Sequence, residues 1–222
     1  MKHTVIGGAW RKRLGVYILG TVMMEFGISI AIRAGLGVAP GGVIPYAVSR
    51  FTVLSAGWCT TLFQIICILL QLAISKRFTA GLVLQLPLAF VCGRMLDFFL
   101  WLLPVFSAGL ILSIAILCAG ILVFSFGIRA MTGADVLLMP PDGLTKIAGA
   151  RLGWGFPKAK LVADIIFTAI AAGLMLIFSD ELFSVVGIGT VLSAAATGPV
   201  VGLFTRLLPF LDIPRPEKAE IK

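Results

Sequence analysis

Long apolar runs alternate with short polar or glycine-rich segments along almost the whole chain. A run of roughly 20 apolar residues is what an α-helix needs to cross about 30 Å of hydrocarbon. The pattern predicts six such helices, at about 14–32, 57–75, 79–103, 105–128, 159–178 and 183–208. The expected fold is therefore an all-α, polytopic membrane protein with six transmembrane helices.

Two of the connections between these runs, at 33–56 and 129–158, differ from ordinary loops. The first contains AIRAGLGVAPGGVIPYAVSR, which is too apolar for a solvent-facing loop and too rich in glycine and proline for one continuous helix. Irregular backbone at membrane depth is tolerated only where protein or a water-filled cavity surrounds it. Each connection is thus expected to be a broken segment of the membrane domain.

Within these broken segments, VIPYAVSRF (43–51) and PPDGLTKIAGA (140–150) are predicted to form short helices. Pro45 and Pro141 suit a first helical turn, and Asp142 adds negative charge near a helix N-terminus. Two arrangements fit the pattern. The short helices either re-enter the membrane from opposite sides or lie flat on its two surfaces.

The two halves of the chain resemble each other. At an offset of 96 residues, Ile32-Arg33-Ala34 aligns with Ile128-Arg129-Ala130, Pro45 with Pro141, and Gly57-Trp58 with Gly153-Trp154. The third spans end alike, in Leu-Leu-Pro at 102–104 and 207–209. Because each half has three spans, an odd number, the second half is expected to be inverted in the membrane. The predicted division is 1–104, 105–210 and a cytoplasmic tail at 211–222.

Composition and charge agree with a membrane protein. The chain is 59% hydrophobic and 13% charged, with a mean hydropathy of +1.09, whereas about a quarter of the residues of a soluble domain are charged. With the N-terminus in the cytoplasm, 15 of the 18 Lys and Arg residues fall on the cytoplasmic side: Lys2, Arg11, Lys12, Arg13, Lys76, Arg77, Arg129, Lys146, Arg151, Lys158, Lys160, Arg206, Arg215, Lys218 and Lys222. The positive-inside rule therefore predicts a bacterial cytoplasmic (inner) membrane protein with both termini cytoplasmic. The same topology accounts for the net charge of +8 without a nucleic-acid partner.

The residue types that carry common enzymatic chemistry are sparse. The four cysteines lie inside apolar spans without metal-ligand spacing, and the single histidine, His3, is close to the N-terminus. A phosphate-binding glycine-rich loop and a Ser/His/Asp constellation are also missing from the sequence. We therefore expect no metal, no cofactor and no enzymatic activity.

Charged residues inside spans are rare and are usually functional. Glu25 lies near the middle of the first span, and Arg94 and Asp97 lie three residues apart in the third, on one helical face. One interpretation is a structural ion pair between Arg94 and Asp97. The other is a polar substrate or coupling site in which Glu25 approaches Arg94 in one state of the molecule.

The broken segments supply candidate residues for two mouths. Arg33 and Arg129 end the first and fourth spans, and they either snorkel to lipid headgroups or act in gates. The remaining candidates for gate residues are Pro40, Pro45, Asp135, Pro141 and Asp142. Lys160 and Asp164, four residues apart, are predicted to pair.

Three motifs carry a family resemblance: GLGVAPGGVIPYAVS (35–49), ADVLLMPPDGLTK (134–146) and GIGTVLSAAATGP (187–199). Together they resemble the YitT/YczE-type family of bacterial membrane proteins over about 14–208. Pro40 keeps the family's proline, but Gly41 and Gly42 replace the usual tryptophan and aspartate. The resemblance implies an integral membrane protein and, less specifically, transport.

From these patterns we expect a small-solute secondary transporter that works by alternating access, with a weak preference for an anionic or zwitterionic solute. Besides the solute and the lipid bilayer, a second copy of the chain is an expected partner, because six spans are few for a complete pathway. A non-transporting scaffold or assembly partner and a channel are the alternatives, followed by an intramembrane enzyme acting on lipid.

Overall fold

The fold is entirely helical in the computed structural model, which describes residues 2–105, 109–179 and 182–213, with side chains from Trp10 onward. The helices in these ranges are α1 (Lys2–Arg33), α2 (Pro40–Phe51), α3 (Ala56–Ser75), α4 (Ala80–Leu102), α5 (Leu110–Ala134), α6 (Pro140–Arg151), α7 (Phe156–Phe178), α8 (Leu182–Val185) and α9 (Ile188–Leu207), followed by a 3-10 turn at Pro209–Leu211. Six stretches are long and apolar enough to cross a membrane: Trp10–Arg33, α3, α4, α5, α7 and Leu182–Leu207. The predicted six-span, all-α class is confirmed.

Two spans differ from their predicted bounds. Helix α5 continues beyond 128 to Ala134, because Arg129 is buried inside the bundle and does not mark the edge of the apolar region. The sixth span is interrupted between α8 and α9. There the backbone of Gly187 and Gly189 lies so close to Leu36 that an added Cβ would come within 2.5 Å and 2.7 Å of its carbonyl oxygen. The glycines of this motif therefore serve a backbone contact.

Helices α1 and α5 form the centre of the molecule. Gly20 of α1 lies against Gly127 of α5, and Gly27 lies against Gly120, so the two helices run antiparallel. A Cβ added to Gly27 would lie 2.4 Å from the backbone nitrogen of Phe124, which shows how closely the backbones approach. Helix α4 packs on α1 and α9 packs on α5, so each third span flanks the first span of its own half.

The two short helices occupy related places in the bundle. Helices α2 and α6 have 12 residues each, about 18 Å of helix, which is shorter than the hydrocarbon core of a bilayer. Both pack against the same two spans, α3 and α7. Pro141 lies in the first turn of α6, as predicted. Pro45 lies inside α2, not in its first turn, because Pro40 provides the first residue of that helix.

The offset of 96 residues that aligns the two arginines does not continue into the helices that follow them. Helices α2 and α6 begin at Pro40 and Pro140, and α3 and α7 begin at Ala56 and Phe156, an offset of 100 in both cases. Arg33 and Arg129 differ by 96, so the second half contains four additional residues between its arginine and its short helix. The pairings of Pro45 with Pro141 and of Trp58 with Trp154 were therefore wrong, and Trp154 precedes α7 whereas Trp58 lies in α3.

The start of the predicted tail is part of the fold. Leu211 is buried, and the backbone N–H of Ile213 donates to the carbonyl oxygen of Gly133 at the end of α5. The rest of the predicted tail, 214–222, lies outside the described residues.

Candidate functional site

A cavity of about 520 Å³ lies where α3 and α5 end and where α4 begins. We call this side the N-terminal face, because Arg13 near the start of α1 donates a hydrogen bond of 2.9 Å to the carbonyl of Ala134 at the end of α5. The other side is called the opposite face. Segment 135–139 and the first turns of α6 complete the cavity wall. Its polar lining includes Gln71, Gln85, Asp135, Asp142 and Lys146.

Two of the predicted gate residues, Asp135 and Asp142, line this cavity. Asp135 caps the C-terminus of α5 in a left-handed conformation, with φ of 47°, which turns the chain back toward the bundle. Asp142 lies in the first turn of α6, where a negative charge is favourable. The second broken segment therefore forms the wall of a cavity, and this is the setting in which irregular backbone is tolerated at membrane depth.

Two buried glutamines satisfy the backbone of this broken segment. Gln85 Nε2 donates to the carbonyl of Leu138 at 3.1 Å, and Gln71 Nε2 donates to the carbonyl of Pro140 at 3.0 Å. The same Gln71 amide also donates to Gln85 Oε1 at 3.0 Å. The two amides therefore bind α3 and α4 to the start of α6, where Pro140 and Pro141 have no N–H of their own to donate.

The first broken segment is fastened at the opposite face in a related way. The N–H of Val38 donates to the carbonyl of Val185 at 3.0 Å, and the N–H of Gly189 donates to the carbonyl of Leu36 at 2.7 Å. Thr190 adds a hydroxyl that donates to the Val185 carbonyl. Each broken segment thus docks at the beginning of the third span of the other half, α4 or α9.

A charged cluster joins the starts of the two short helices. Lys160 Nζ of α7 lies 3.1 Å from Asp142 Oδ1 of α6 and 2.9 Å from Asp164 Oδ1 of α7. A methyl group added to Gly41, the second residue of α2, would lie 4.0 Å from the same Nζ. The predicted pair of Lys160 with Asp164 is confirmed, and the first turns of both short helices lie close to one lysine.

Glu25 is enclosed at the interface of α1 and α4. Its side chain is 1% exposed, the Cys92 thiol is its hydrogen-bonding neighbour, and its Oε2 has no hydrogen-bond partner within the described part of the chain. Met24, the preceding residue, lines the cavity. The predicted approach of Glu25 to Arg94 is not present in this structure, because Arg94 follows Cys92 by two residues and so lies on the other side of α4.

Arg94 and Asp97 fasten α4 to the start of α3. The two side chains form an ion pair of 3.0 Å, as the structural interpretation predicted, and the Arg94 guanidinium lies 4.2 Å from the ring centre of Trp58. Asp97 Oδ1 accepts from the N–H of Gly57, and its Oδ2 accepts from the Ser55 hydroxyl, both at 2.7 Å. The Asp97 carboxylate therefore caps the N-terminus of α3 at the opposite face.

The two arginines at the span ends bind protein carbonyls, and Arg33 is partly exposed whereas Arg129 is buried. Arg33 donates to the carbonyl of Leu100 near the end of α4. Arg129 donates to the carbonyl of Leu208 beyond α9 at 2.9 Å and pairs with Asp212 at 2.9 Å. Each arginine therefore binds the end of the third span in its own half. Arg129 is only 2% exposed.

Sequence reasoning missed three contributors to this region. Gln71 and Gln85 were not among the predicted site residues, although a polar side chain inside an apolar span is expected to find a hydrogen-bond partner. The contact of Lys160 with Asp142 depends on the fold, since 18 positions separate them. Within the described residues, no group of three His, Cys, Asp or Glu side chains is placed to hold a metal ion.

Comparison with known proteins agrees with this architecture. A family model described as a family of unknown function, DUF6198, matches residues 11–206. The chain belongs to this family. It is also similar to the uncharacterized membrane protein YczE of Bacillus subtilis (strain 168), with 25% identity over 191 residues, which is 83% of this chain and 81% of the relative. The predicted YczE-type relationship is confirmed. No solved structure matches.

Proposed function

We propose that this DUF6198 protein is a small-solute secondary transporter of the bacterial cytoplasmic membrane, built from two inverted three-span repeats. The observation that carries the proposal is the meeting of the N-terminal ends of α2 and α6 at Lys160, next to a cavity at one face. Broken helices whose N-termini meet inside the bundle bind charged solutes in several secondary transporters. The antiparallel α1 and α5 and the reciprocal docking of the broken segments support the inverted repeat.

The charges around Lys160 favour a zwitterionic solute. The two helix N-termini and the ammonium group attract an anionic group. Asp142 and Asp164 attract a cationic group at the same place. A solute with both charges can replace parts of this ion-pair cluster without leaving a buried charge unpaired, which would be costly.

In this proposal Glu25 is the coupling residue. A buried carboxyl group without a cationic partner is stabilised by carrying a proton, and among the described residues no ion pair joins Glu25 to a cation. Because Met24 lines the cavity, a small shift of α1 would bring the adjacent Glu25 to water. Arg94 and Asp97 are assigned to fastening α3 to α4, and the N-terminal face, where the positive charges gather, is assigned to the cytoplasm.

The test is an uptake screen in proteoliposomes with an imposed proton gradient, using radiolabelled amino acids and small carboxylates. We expect gradient-driven accumulation of a zwitterionic solute, reduced about tenfold or more in Lys160→Gln, the effect of losing about 1.4 kcal/mol of binding. Lys158→Gln is the matched control, because Lys158 stacks on Trp154 at 4.7 Å and faces outward. Glu25→Gln should abolish the dependence on the proton gradient.

Other results of this screen would contradict the proposal. Flux that only dissipates a solute gradient, in every variant, would indicate a channel. Equal accumulation by wild type and Lys160→Gln would remove Lys160 from the pathway. Failure to accumulate any solute of these two classes would favour a scaffold or assembly protein.

A further inference from the structure

In the first half of the molecule, the third span packs along the second. The Thr61 hydroxyl of α3 donates to the carbonyl of Ala89 of α4 at 3.3 Å. One turn later, a Cβ added to Gly93 would lie 2.4 Å from the carbonyl oxygen of Gly57. After a further turn, Asp97 accepts the hydrogen bond from the Gly57 N–H. Ala89, Gly93 and Asp97 therefore form a stripe by which α4 closes on α3.

The second half has the same stripe, but it is unused. The third spans correspond at an offset of 105, the offset of their shared Leu-Leu-Pro ends, which places Ala194, Gly198 and Gly202 on α9 at the three stripe positions. All three are exposed, and a Cβ added to Gly198 or Gly202 would meet no described atom within 4 Å. In the described ranges α9 has no extended contact with α7, and it is α8 that packs on that helix.

The corresponding side of α7 is also uncovered. At the helix offset of 100, Leu161 corresponds to Thr61, and its side chain is 63% exposed. Asp164, three residues further on, lies on the same side of α7 and belongs to the Lys160 cluster. The uncovered side of α7 therefore continues from Leu161 to a carboxylate that is part of that cluster.

The remaining contacts of the two halves agree. The third span of each half packs on the first span of that half, as α4 on α1 and α9 on α5. Each short helix packs on the second span of both halves, since α2 and α6 each contact α3 and α7. The difference between the halves is thus concentrated at one pair of helices, closed as α3–α4 and open as α7–α9. Because the two halves share one arrangement, the closed α3–α4 contact and the open α7–α9 contact show two states that one such pair of helices can adopt.

We propose that the molecule has a second state in which α9 closes on α7 along Ala194, Gly198 and Gly202 while α4 separates from α3. This proposal deepens the proposed function and rests on it for its biological meaning. The Gly57–Asp97 contact lies near the start of α3, at the opposite face. Leu161 lies near the start of α7, at the N-terminal face. Exchanging the two contacts would therefore close one face and open the other.

The residue that holds the present state is Asp97. Its carboxylate binds the Gly57 N–H and the Ser55 hydroxyl, whereas the corresponding position of α9 is Gly202, which has no side chain to bind α7. The closed α3–α4 contact therefore has a hydrogen-bonded latch that the α7–α9 contact lacks. Weakening the latch shifts the population toward the second state, because only one of the two states contains it.

Disulfide trapping tests this closure directly. In full-length protein with the four native cysteines replaced by alanine, Leu161→Cys with Gly198→Cys is oxidised in native membranes. We expect a disulfide within one chain. Adding Asp97→Asn should increase the rate of its formation by about tenfold or more, the effect of losing one hydrogen bond to a charged group. Ser55→Ala is a milder latch variant, with a smaller increase, if Asp97→Asn lowers the amount of folded protein.

The control pair is Leu161→Cys with Val191→Cys. Val191 is exposed on α9 like Gly198 but lies seven residues earlier, about 10 Å along the helix and further from Leu161, so no disulfide is expected. Absence of a disulfide within one chain at Leu161–Gly198, or a rate unaffected by both latch variants, would overturn the closure. Gly198→Cys disulfides between two chains would identify the stripe as a dimer interface and also overturn it. A trapped disulfide in a protein that accumulates no solute would leave the closure standing and remove the transport proposal.

Discussion

Replacing Gly27 by alanine is expected to force apart the two central helices. The added Cβ would lie 2.4 Å from the backbone nitrogen and 2.7 Å from the Cα of Phe124, and 2.8 Å from the carbonyl oxygen of Gly120. All three are backbone atoms, so no side-chain rotation can relieve the overlap. Such overpacking costs about 1–3 kcal/mol, which exceeds the gain of up to about 1 kcal/mol that alanine brings to a helix.

Gly15→Ala is the matched control, since it makes the same chemical change in the same helix at a position where nothing lies within 4 Å of the new Cβ. We expect the free energy of unfolding of Gly27→Ala to be lower than that of Gly15→Ala by about 1–3 kcal/mol. Reversible unfolding in mixed detergent micelles, followed by circular dichroism, measures both variants. Equal stability of the two variants would refute the close α1–α5 crossing.

Two further predictions use matched pairs in the same unfolding assay. Gln71→Leu removes the two hydrogen bonds that its buried amide donates, to the Pro140 carbonyl and to Gln85 Oε1, and should cost about 1–3 kcal/mol. Gln64→Leu, at a similarly buried glutamine whose Oε1 has no hydrogen-bond partner among the described residues, should cost less. The reverse order would contradict the role of Gln71. Ser55→Ala removes the helix cap that accepts from the Trp58 N–H and should lower the free energy of unfolding by about 1 kcal/mol. Thr79→Ala, at a helix cap without a side-chain hydrogen bond, should change the free energy of unfolding little. Similar losses in both variants would show that the Ser55 cap adds no stability.

Much of the fold follows from local pattern. The apolar runs are long, and each places a helix where one is found, because backbone groups in hydrocarbon have to be satisfied within the segment. The errors have a common origin in the interior of the bundle. Arg129 looked like the end of a span, but it is buried and binds the carbonyl of Leu208, so α5 continues past it. A buried arginine cannot be distinguished from a snorkelling one without knowing its partners.

The candidate site was less predictable, for a related reason. Asp135 and Asp142 were found because they are charged residues in a broken segment. The hydrogen bonds of Gln71 and Gln85, and the meeting of Lys160 with Asp142, join parts of the chain that are distant in sequence. Glu25 was predicted to approach Arg94, yet a difference of two positions along α4 turns Arg94 away from the α1 interface that Cys92 faces.

The four additional residues between Arg129 and α6 bear on how the two halves of the chain diverged. If the halves descend from one ancestral segment, four residues added to α5 turned the end of that helix by only about 40° and moved it about 6 Å along the axis. A change of two residues would have rotated the following side chains by about 200°, to the wrong side of the helix. A length difference of four residues is therefore compatible with an arginine that keeps its place at the end of the neighbouring span. An alignment of the two halves in related sequences should place its gap directly after Arg129.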